Sequence, residues 1–402
     1  MMGRVLDRVF SLEDFQREAC RFLPRPVYVY VADGSEDRAT MDDNRQVFRQ
    51  YGLVTRMMRD VAKRSLKTML YGKEWSAPFG IAPMGLSALS GYRGDIMLAR
   101  AAKAAGIPMI VSGTSMIRLE ETIQENPDAW FQAYVPGDLE RTYPLLDRVK
   151  AAGYQTLVLT VDTFLGASRE NQVRAGFTTP LRPGLRLALD GLARPRWLCS
   201  VFLRTLLRYG MPHFENSFAV RGAPIVSAKA ARDHAPKDHM DWERVALIRK
   251  HWQGRLVIKG LLHPGDCRMA RDLGADGIIV SNHGGRQMDG GPSPVRMLPL
   301  ILDELARTGA KIPLMVDSGF RRGNDVLKAL ALGADFVFVG RPFNFACSVA
   351  GEPGVKHAIG LLQDEVKRGL GMMGYNAVAE VRNARADGVL IDLPSPSVGA
   401  AG

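Results

Sequence analysis

From Phe79 onward the chain repeats one rhythm: a short apolar, β-rich run, a small or polar residue at its end, then a stretch with helical spacing. The runs fall at 79–83, 108–112, 130–134, 156–162, 255–260, 277–281, 313–317 and 336–340. Strands buried on both faces read as continuous apolar runs rather than alternating ones. Helical patterns fill the gaps at 95–105, 139–151, 242–252, 264–273, 294–307 and 324–332. Eight strands alternating with helices predict an α/β protein built as a (β/α)8 TIM barrel. The rival is a doubly wound sheet, but eight units without an early glycine-rich fingerprint favour closure.

Ahead of the barrel, a helix is predicted from Ser11, with Asp14 at the capping-box position and Leu12, Phe15, Ala19 and Phe22 apolar. Pro24 and Pro26 should stop it, and a second helix follows at 40–51. The chain therefore divides into an N-terminal helical extension (1–75), a barrel (76–382) and a tail (383–402), all in one domain spanning 1–402. The strand spacing breaks once, between the fourth strand and the fifth. That gap holds a long insertion after strand 4, at 180–240, rich in Arg and Pro.

Hydrophobic content of 46% and charged content of 24% exclude a disordered or collagen-like chain. The longest uncharged stretch, 75–92, is interrupted by Pro78, Pro83 and glycines, so no transmembrane helix is expected. The N-terminus lacks the apolar core of a secretory signal. Cys20, Cys199, Cys267 and Cys347 lie far apart, which argues against a metal site or disulfide framework and fits a reduced cytoplasmic compartment. The net charge of +11 admits nucleic acid, a membrane surface or acidic small molecules as partners.

Reactive groups of a barrel belong at the C-terminal ends of its strands. Those ends carry Pro83, Met84 and Gly85; Ser112; Gln132 and Tyr134; Thr160 and Asp162; Lys259; Ser281 and His283; Asp317; and Gly340 with Arg341. The segment SNHGGRQMDG, from Ser281 to Gly290, is the strongest single signal. His283 follows a strand at once, lies between residues that let a substrate approach the backbone, and precedes Arg286 by three positions. An imidazole suits proton transfer near neutral pH, and a guanidinium offers a fork for a carboxylate. A lone loop histidine is more often merely packed; the arginine and the other strand ends favour function here. DSGFRRG and GRP, after the seventh and eighth strands, occupy the usual phosphate position of this barrel, with Gly319, Arg321, Gly340 and Arg341. Ordinary turns bearing surface arginines are the alternative.

Together SNHGGRQMDG, LTVDT, FQAY, VIKG, IAPMG and the DSGFRRG–VGRP pair resemble the FMN-dependent 2-hydroxy acid dehydrogenases and oxidases, in the family's order across residues 10–382. ARPRWL, YGMPHFENSF, KGLL and DSGFRRG are most similar to its mandelate dehydrogenase branch. The resemblance implies FMN as cofactor and an (S)-2-hydroxy acid as substrate. It implies His283 as base, Asp162 paired with it, Tyr134 on the reacting hydroxyl, and Arg286, Arg169 and Tyr30 on the carboxylate. Lys259 would sit against the flavin's pyrimidine side. Pro83, Met84, Gly85, Ser112, Gln132, Thr160 and Ser281 would line the isoalloxazine; Asp317, Gly319, Arg321, Gly340 and Arg341 would hold ribityl and phosphate. A homo-tetramer is the family habit. Four positions depart from the pattern: Met84 stands for the usual Thr, Pro136 follows the third strand, Thr114 replaces a large aromatic, and Arg169 sits in GASREN rather than a run of arginines.

The insertion concentrates the charge, with ten Lys and Arg against four acids between 180 and 240, interleaved with bulky apolar residues. Such a pattern fits an interfacial amphipathic segment or a solvated loop packed on the barrel mouth. Resemblance to membrane-bound dehydrogenases of the family favours the first, with 180–215 on the inner face of the cell membrane and a quinone-type electron acceptor. Nucleic acid is not expected, since no recognition motif is present. A soluble, peroxide-forming oxidase and a non-catalytic phosphate-ligand or anionic-surface binding protein are the competing readings.

Overall fold

The computed structural model describes residues 5–135, 138–182, 184–229 and 240–394. Eight parallel strands form one sheet: β1 (Phe79–Ile81), β2 (Ile110–Ser112), β3 (Trp130–Ala133), β4 (Thr156–Thr160), β5 (Arg255–Leu261), β6 (Gly277–Val280), β7 (Leu314–Val316) and β8 (Phe336–Val339). Each pairs with its neighbours in sequence, and β8 returns to β1 with Val339 opposite Ile81. The ring closes between β1 and β2 at the bridge from Ile81 to Met109, where the Ile81 N–H donates to the Pro108 carbonyl at 2.9 Å. This is the TIM barrel that the run pattern predicts. Most strands end earlier than the apolar runs suggest, because Asp162, Ser281 and Asp317 leave the ladder at the mouth.

Side chains alternate across each strand. Ile110, Trp130, Val158, Val257, Ile279, Met315, Phe336 and Phe338 fill the barrel interior, while Val111, Phe131, Leu157, Ile258, Ile278 and Val337 pack outward. Leu70 and Trp75, from the antiparallel hairpin Thr68–Leu70 and Lys73–Trp75, join the interior set. Tyr71 at the hairpin turn lies 5.7 Å from the Trp130 ring and beneath the Arg255 guanidinium at the start of β5. The hairpin therefore stoppers the end of the barrel opposite the strand C-termini.

The first helix spans Leu12–Phe22, and Asp14 accepts from both the N–H and the hydroxyl of Ser11, at 2.8 and 3.0 Å. Its face of Leu12, Phe15 and Ala19 packs on Arg341–Met372, a long helix with a break at Ala350 and Gly351. Pro24 and Pro26 do end the first helix, but they also begin another, Arg25–Ala32. Proline fits the first turn because its missing N–H has no intrahelical partner there. That unanticipated helix carries Tyr30. The second expected helix is Ala39–Gln46, extended by a 3₁₀ turn at Val47–Gln50. Tyr51–Leu53 then pairs antiparallel with Leu390–Asp392, so the extension is not wholly helical and part of the tail is tied to it.

The insertion is helical as well. Leu185–Leu192 is followed by a continuous helical stretch over 195–209 with a π-helical middle, Leu198–Leu203. Trp197 is buried and its indole N–H donates to the Leu89 carbonyl at 2.9 Å, fixing the stretch to the barrel. Leu185, Leu189, Leu192, Leu203 and Leu207 remain exposed.

The hairpin floor yields a stability prediction. Trp75→Ala removes a buried ring from the interior cluster and should cost about 3–5 kcal/mol in urea unfolding. Met69→Ala, on the exposed face of the same hairpin, should stay within about 0.5 kcal/mol of wild type.

Candidate active site

A cavity of about 580 Å³ opens at the C-terminal ends of the strands. That volume lies within the range of small-molecule sites. Tyr30, Pro83, Met84, Gly85, Tyr134, Thr160, Arg169, Lys259, His283, Arg286, Asp317, Gly319, Arg321, Gly340 and Arg341 all line it. Ser112, Gln132, Asp162 and Ser281 stand directly behind this wall, bonded to residues in or beside it. The structure thus gathers every sequence-predicted site residue at one mouth. Pro136 lies outside the described residues.

His283 sits on the sharp turn after β6 with φ of +58°, a conformation rarely adopted by a residue with a side chain. Its N–H donates to Ser281 Oγ at 3.0 Å. Nδ1 lies 2.9 Å from Asp162 Oδ1, and Nε2 faces the Tyr134 hydroxyl at 3.3 Å. Burial pushes the imidazole below its ordinary pKa, Asp162 opposes this, and Lys259 and Arg169 reinforce it. Burial alone would raise the Asp162 carboxyl, but His283, Lys259 and Arg169 outweigh it and hold it below the usual range. The Tyr134 hydroxyl is raised by burial and then by Asp162, so it stays protonated.

The arginines divide the mouth between them. Arg286 Nη1 donates to the carbonyls of Tyr30 and Asp33, and the guanidinium stacks 4.9 Å from the Tyr30 ring. Burial and the neighbouring Arg169 bring its pKa down to about 10, so it remains a cation. Arg169 donates to the Arg286 carbonyl at 2.9 Å and to the Gln287 side-chain oxygen. Gln287 in turn donates to the Asp162 carbonyl at 2.8 Å. Gln287 thus ties the loop after β4, at Asp162 and Arg169, to the loop after β6, a role that nothing in its sequence setting marks.

Lys259 Nζ donates to Ser281 Oγ at 2.8 Å and pairs with Asp317 Oδ2 at 3.1 Å, all three buried. Gln132 accepts from the Gly113 N–H at 3.2 Å and the Ser112 hydroxyl at 3.3 Å through Oε1. Gly85 is demanded by close approach, since a Cβ there would fall 2.2 Å from Thr114 Oγ1 and 3.2 Å from the Tyr30 hydroxyl. Thr114 therefore packs against the glycine of IAPMG. Gly319, at φ of +89°, lies so near helix Ala39–Gln46 that a Cβ would meet the Asn44 carbonyl at 2.0 Å. Arg341 donates to the carbonyls of Val31, Asp33 and Gly284 at 3.0, 3.0 and 2.9 Å, tying the Tyr30 helix to the His283 turn. Burial and the fields of Arg286 and Arg321 hold it well below its ordinary pKa.

The fold and this mouth define a flavin-type α/β barrel oxidoreductase. The model of the FMN-dependent dehydrogenase family matches residues 19–387, and the chain belongs to that family. Among its relatives, (S)-mandelate dehydrogenase of Pseudomonas putida is 36% identical over 91% of each chain. L-lactate dehydrogenase of Ectopseudomonas mendocina (strain ymp) is 37% identical over 92% of this chain and 96% of its own. A solved structure of the monotopic membrane protein (S)-mandelate dehydrogenase superposes with a TM-score of 0.86 at 34% identity, covering 96% of this chain and all of the other. A mandelate oxidase structure gives 0.76 at 32% identity, covering 93% and 97%.

The residues fit FMN. Gln132 Nε2, Thr160 Oγ1 and Arg321 Nε are buried without a hydrogen-bond partner among the described residues, and Thr160 and Arg321 line the cavity. A buried donor with no partner is costly, and the flavin's carbonyls, ring nitrogens, ribityl hydroxyls and phosphate are the acceptors and donors such groups need. Adding FMN to flavin-stripped protein at a hundredfold excess over Kd should raise its unfolding free energy by about 2.7 kcal/mol, read as an upward shift of Tm.

Proposed function

We propose that the protein oxidises an (S)-2-hydroxy acid to the 2-keto acid with FMN and passes the electrons to a quinone-type acceptor at a membrane surface. The observation that carries the reading is the His283 imidazole held between the Asp162 carboxylate and the Tyr134 hydroxyl, beside Arg286 and Arg169 in one cavity. FMN, when bound, supplies the two-electron sink. Lys259, Gln132, Ser112, Thr160 and Ser281, with Pro83, Met84 and Gly85, would hold its ring. Asp317, Gly319, Arg321 and Gly340 would hold ribityl and phosphate, with Arg341 lending charge.

Arg286 and Arg169 clamp the substrate carboxylate, with the Tyr30 hydroxyl beside them. The clamp turns a bimolecular encounter into an oriented one. The Tyr134 hydroxyl, kept protonated, donates to the substrate's reacting oxygen. His283 Nε2 takes the proton that the substrate loses, and the Asp162 carboxylate stabilises the imidazolium so formed. Lys259 places a fixed cation where negative charge gathers on reduction, in a site shielded from water.

The exposed Leu185, Leu189, Leu192, Leu203 and Leu207 stand among Arg186, Arg196, Arg204 and Arg208, all exposed. Apolar side chains entering the headgroup region beside arginines that meet anionic lipid make an interfacial anchor. Among the described residues no helix is long and apolar enough to cross a membrane. The attachment in this reading is peripheral, on the cytoplasmic face. The likeness to a monotopic membrane enzyme supports the same reading. A homo-tetramer in detergent, measured by light scattering, is the expected assembly.

Likeness to mandelate oxidase keeps a soluble oxidase as the second reading. Peroxide equimolar with keto acid would establish it; turnover only with a quinone analogue or dye supports the dehydrogenase. His283→Ala should retain FMN yet lose anaerobic flavin bleaching by at least about a thousandfold, and unchanged bleaching removes its assigned role. The base must be neutral in free enzyme, so its lowered pKa should keep kcat/KM high to a pH below the ordinary histidine value of about 6.5. Asp162→Asn withdraws the interaction that raises that pKa, so the acid limb should move lower still while kcat falls. Leu189→Asp with Leu207→Asp should release the protein from anionic vesicles, leaving bleaching intact.

A further inference from the structure

The middle of the insertion meets the barrel in a dense set of bonds over 214–218. The Glu215 N–H donates to the Ser115 carbonyl at 3.1 Å. Asn216 is fully buried, and both ends of its amide are used: Oδ1 accepts from the Leu119 N–H at 2.9 Å, and Nδ2 donates to the Ile117 carbonyl at 2.8 Å. The Ser217 hydroxyl donates to the Gly113 carbonyl at 3.4 Å. Arg148 grips Glu120 through two bonds of 2.7 and 2.9 Å, and its remaining nitrogen donates to the carbonyls of Glu215 and Phe218 at 2.9 and 3.0 Å. Every bond runs to the loop or helix after β2, or to the helix Leu139–Ala151 after β3.

The other face of this segment looks into the mouth. Phe214, Ser217 and Phe218 line the same cavity as His283, together with Thr114 and Leu165. Phe218 is backed from outside by the Arg141 guanidinium, 4.4 Å from its ring. Two rings and an aliphatic side chain give this stretch of the lining an apolar, partly aromatic surface, set in the same cavity as the cations Lys259, Arg169 and Arg286.

We propose that 214–218 is the wall that reads the substituent on the substrate's α-carbon, selecting a bulky, flat apolar group over a methyl. Asn216 and Arg148 are the positioning residues that hold the wall in place. The proposal rests on the 2-hydroxy acid reading above. With the carboxylate on Arg286 and Arg169 and the hydroxyl at Tyr134, the third group on the reacting carbon has to point away from the cations. An amide bonded at both ends to main chain fixes a wall without entering the cavity. Shortening it should loosen the apolar side while leaving the base, the clamp and the flavin residues untouched.

The test uses the full-length, FMN-loaded protein and anaerobic bleaching with mandelate and lactate. Asn216→Ala and Phe218→Ala should each lower the mandelate-to-lactate ratio of kcat/KM by about tenfold, chiefly through KM for mandelate. FMN content and kcat with lactate should hold within twofold. Phe218 is only half-buried, so its variant reports on the wall even where Asn216→Ala fails to fold. A ratio unchanged in Phe218→Ala, or an equal loss with both acids, overturns the assignment of the wall. An unchanged ratio in folded Asn216→Ala overturns the clamp. A wild type that bleaches with neither acid nor any other 2-hydroxy acid overturns the underlying reading as well.

Discussion

Five cations share one cavity wall, and most of the site's construction answers to that. Lys259, Arg169, Arg286, Arg321 and Arg341 line the mouth, where Asp317 is the single carboxylate among the described lining residues. Loss of hydration on burial is the main cause that depresses Arg286, Arg321 and Arg341, and like charges add to it: Arg169 on Arg286, Arg45 on Arg321, and Arg286 with Arg321 on Arg341. Main-chain carbonyls offset part of this cost. Arg341 takes three, Arg286 takes two and Arg169 takes one. In the proposed function a phosphate and a substrate carboxylate would complete the balance, so one electrostatic demand would account for both a phosphorylated flavin and an acidic substrate.

That demand also explains what the sequence makes legible. Groups to which the proposed chemistry falls sit at or just after strand ends and belong to types chosen for charge, so His283, Arg286, Lys259 and Asp162 stand out from the linear chain. The residues that brace the loops around them do not. Gln287, Asn216 and Arg148 act by bonding to backbone, and a carbonyl partner leaves no trace in the identity of the residue that owns it. The same reason hides the dual commitment of Arg341, whose GRP context reads simply as a phosphate turn. Tyr30 was visible as a residue but not as part of a helix, because the two prolines read as stops when one helix ends and another begins at them.

The insertion shows how one segment serves two environments. Its outer helices present leucine and arginine to the surroundings, while Trp197 and then 214–218 are bonded inward. Composition alone fits either an amphipathic helix or a packed loop, and the described structure contains in succession exposed leucine-bearing helices and a stretch bonded to the barrel. Positive charge is thus divided between the cavity at the strand ends and an exposed helical surface.

The hairpin under the barrel has a consequence for traffic. Leu70, Trp75 and Tyr71 pack against the barrel-interior cluster of Trp130 and Phe338, so the described residues fill the barrel axis beneath the cavity. A small molecule that exchanges with the cavity therefore does not pass along the barrel axis. A plug of aromatic rings at the far end of the sheet confines its traffic to the side where the strands end.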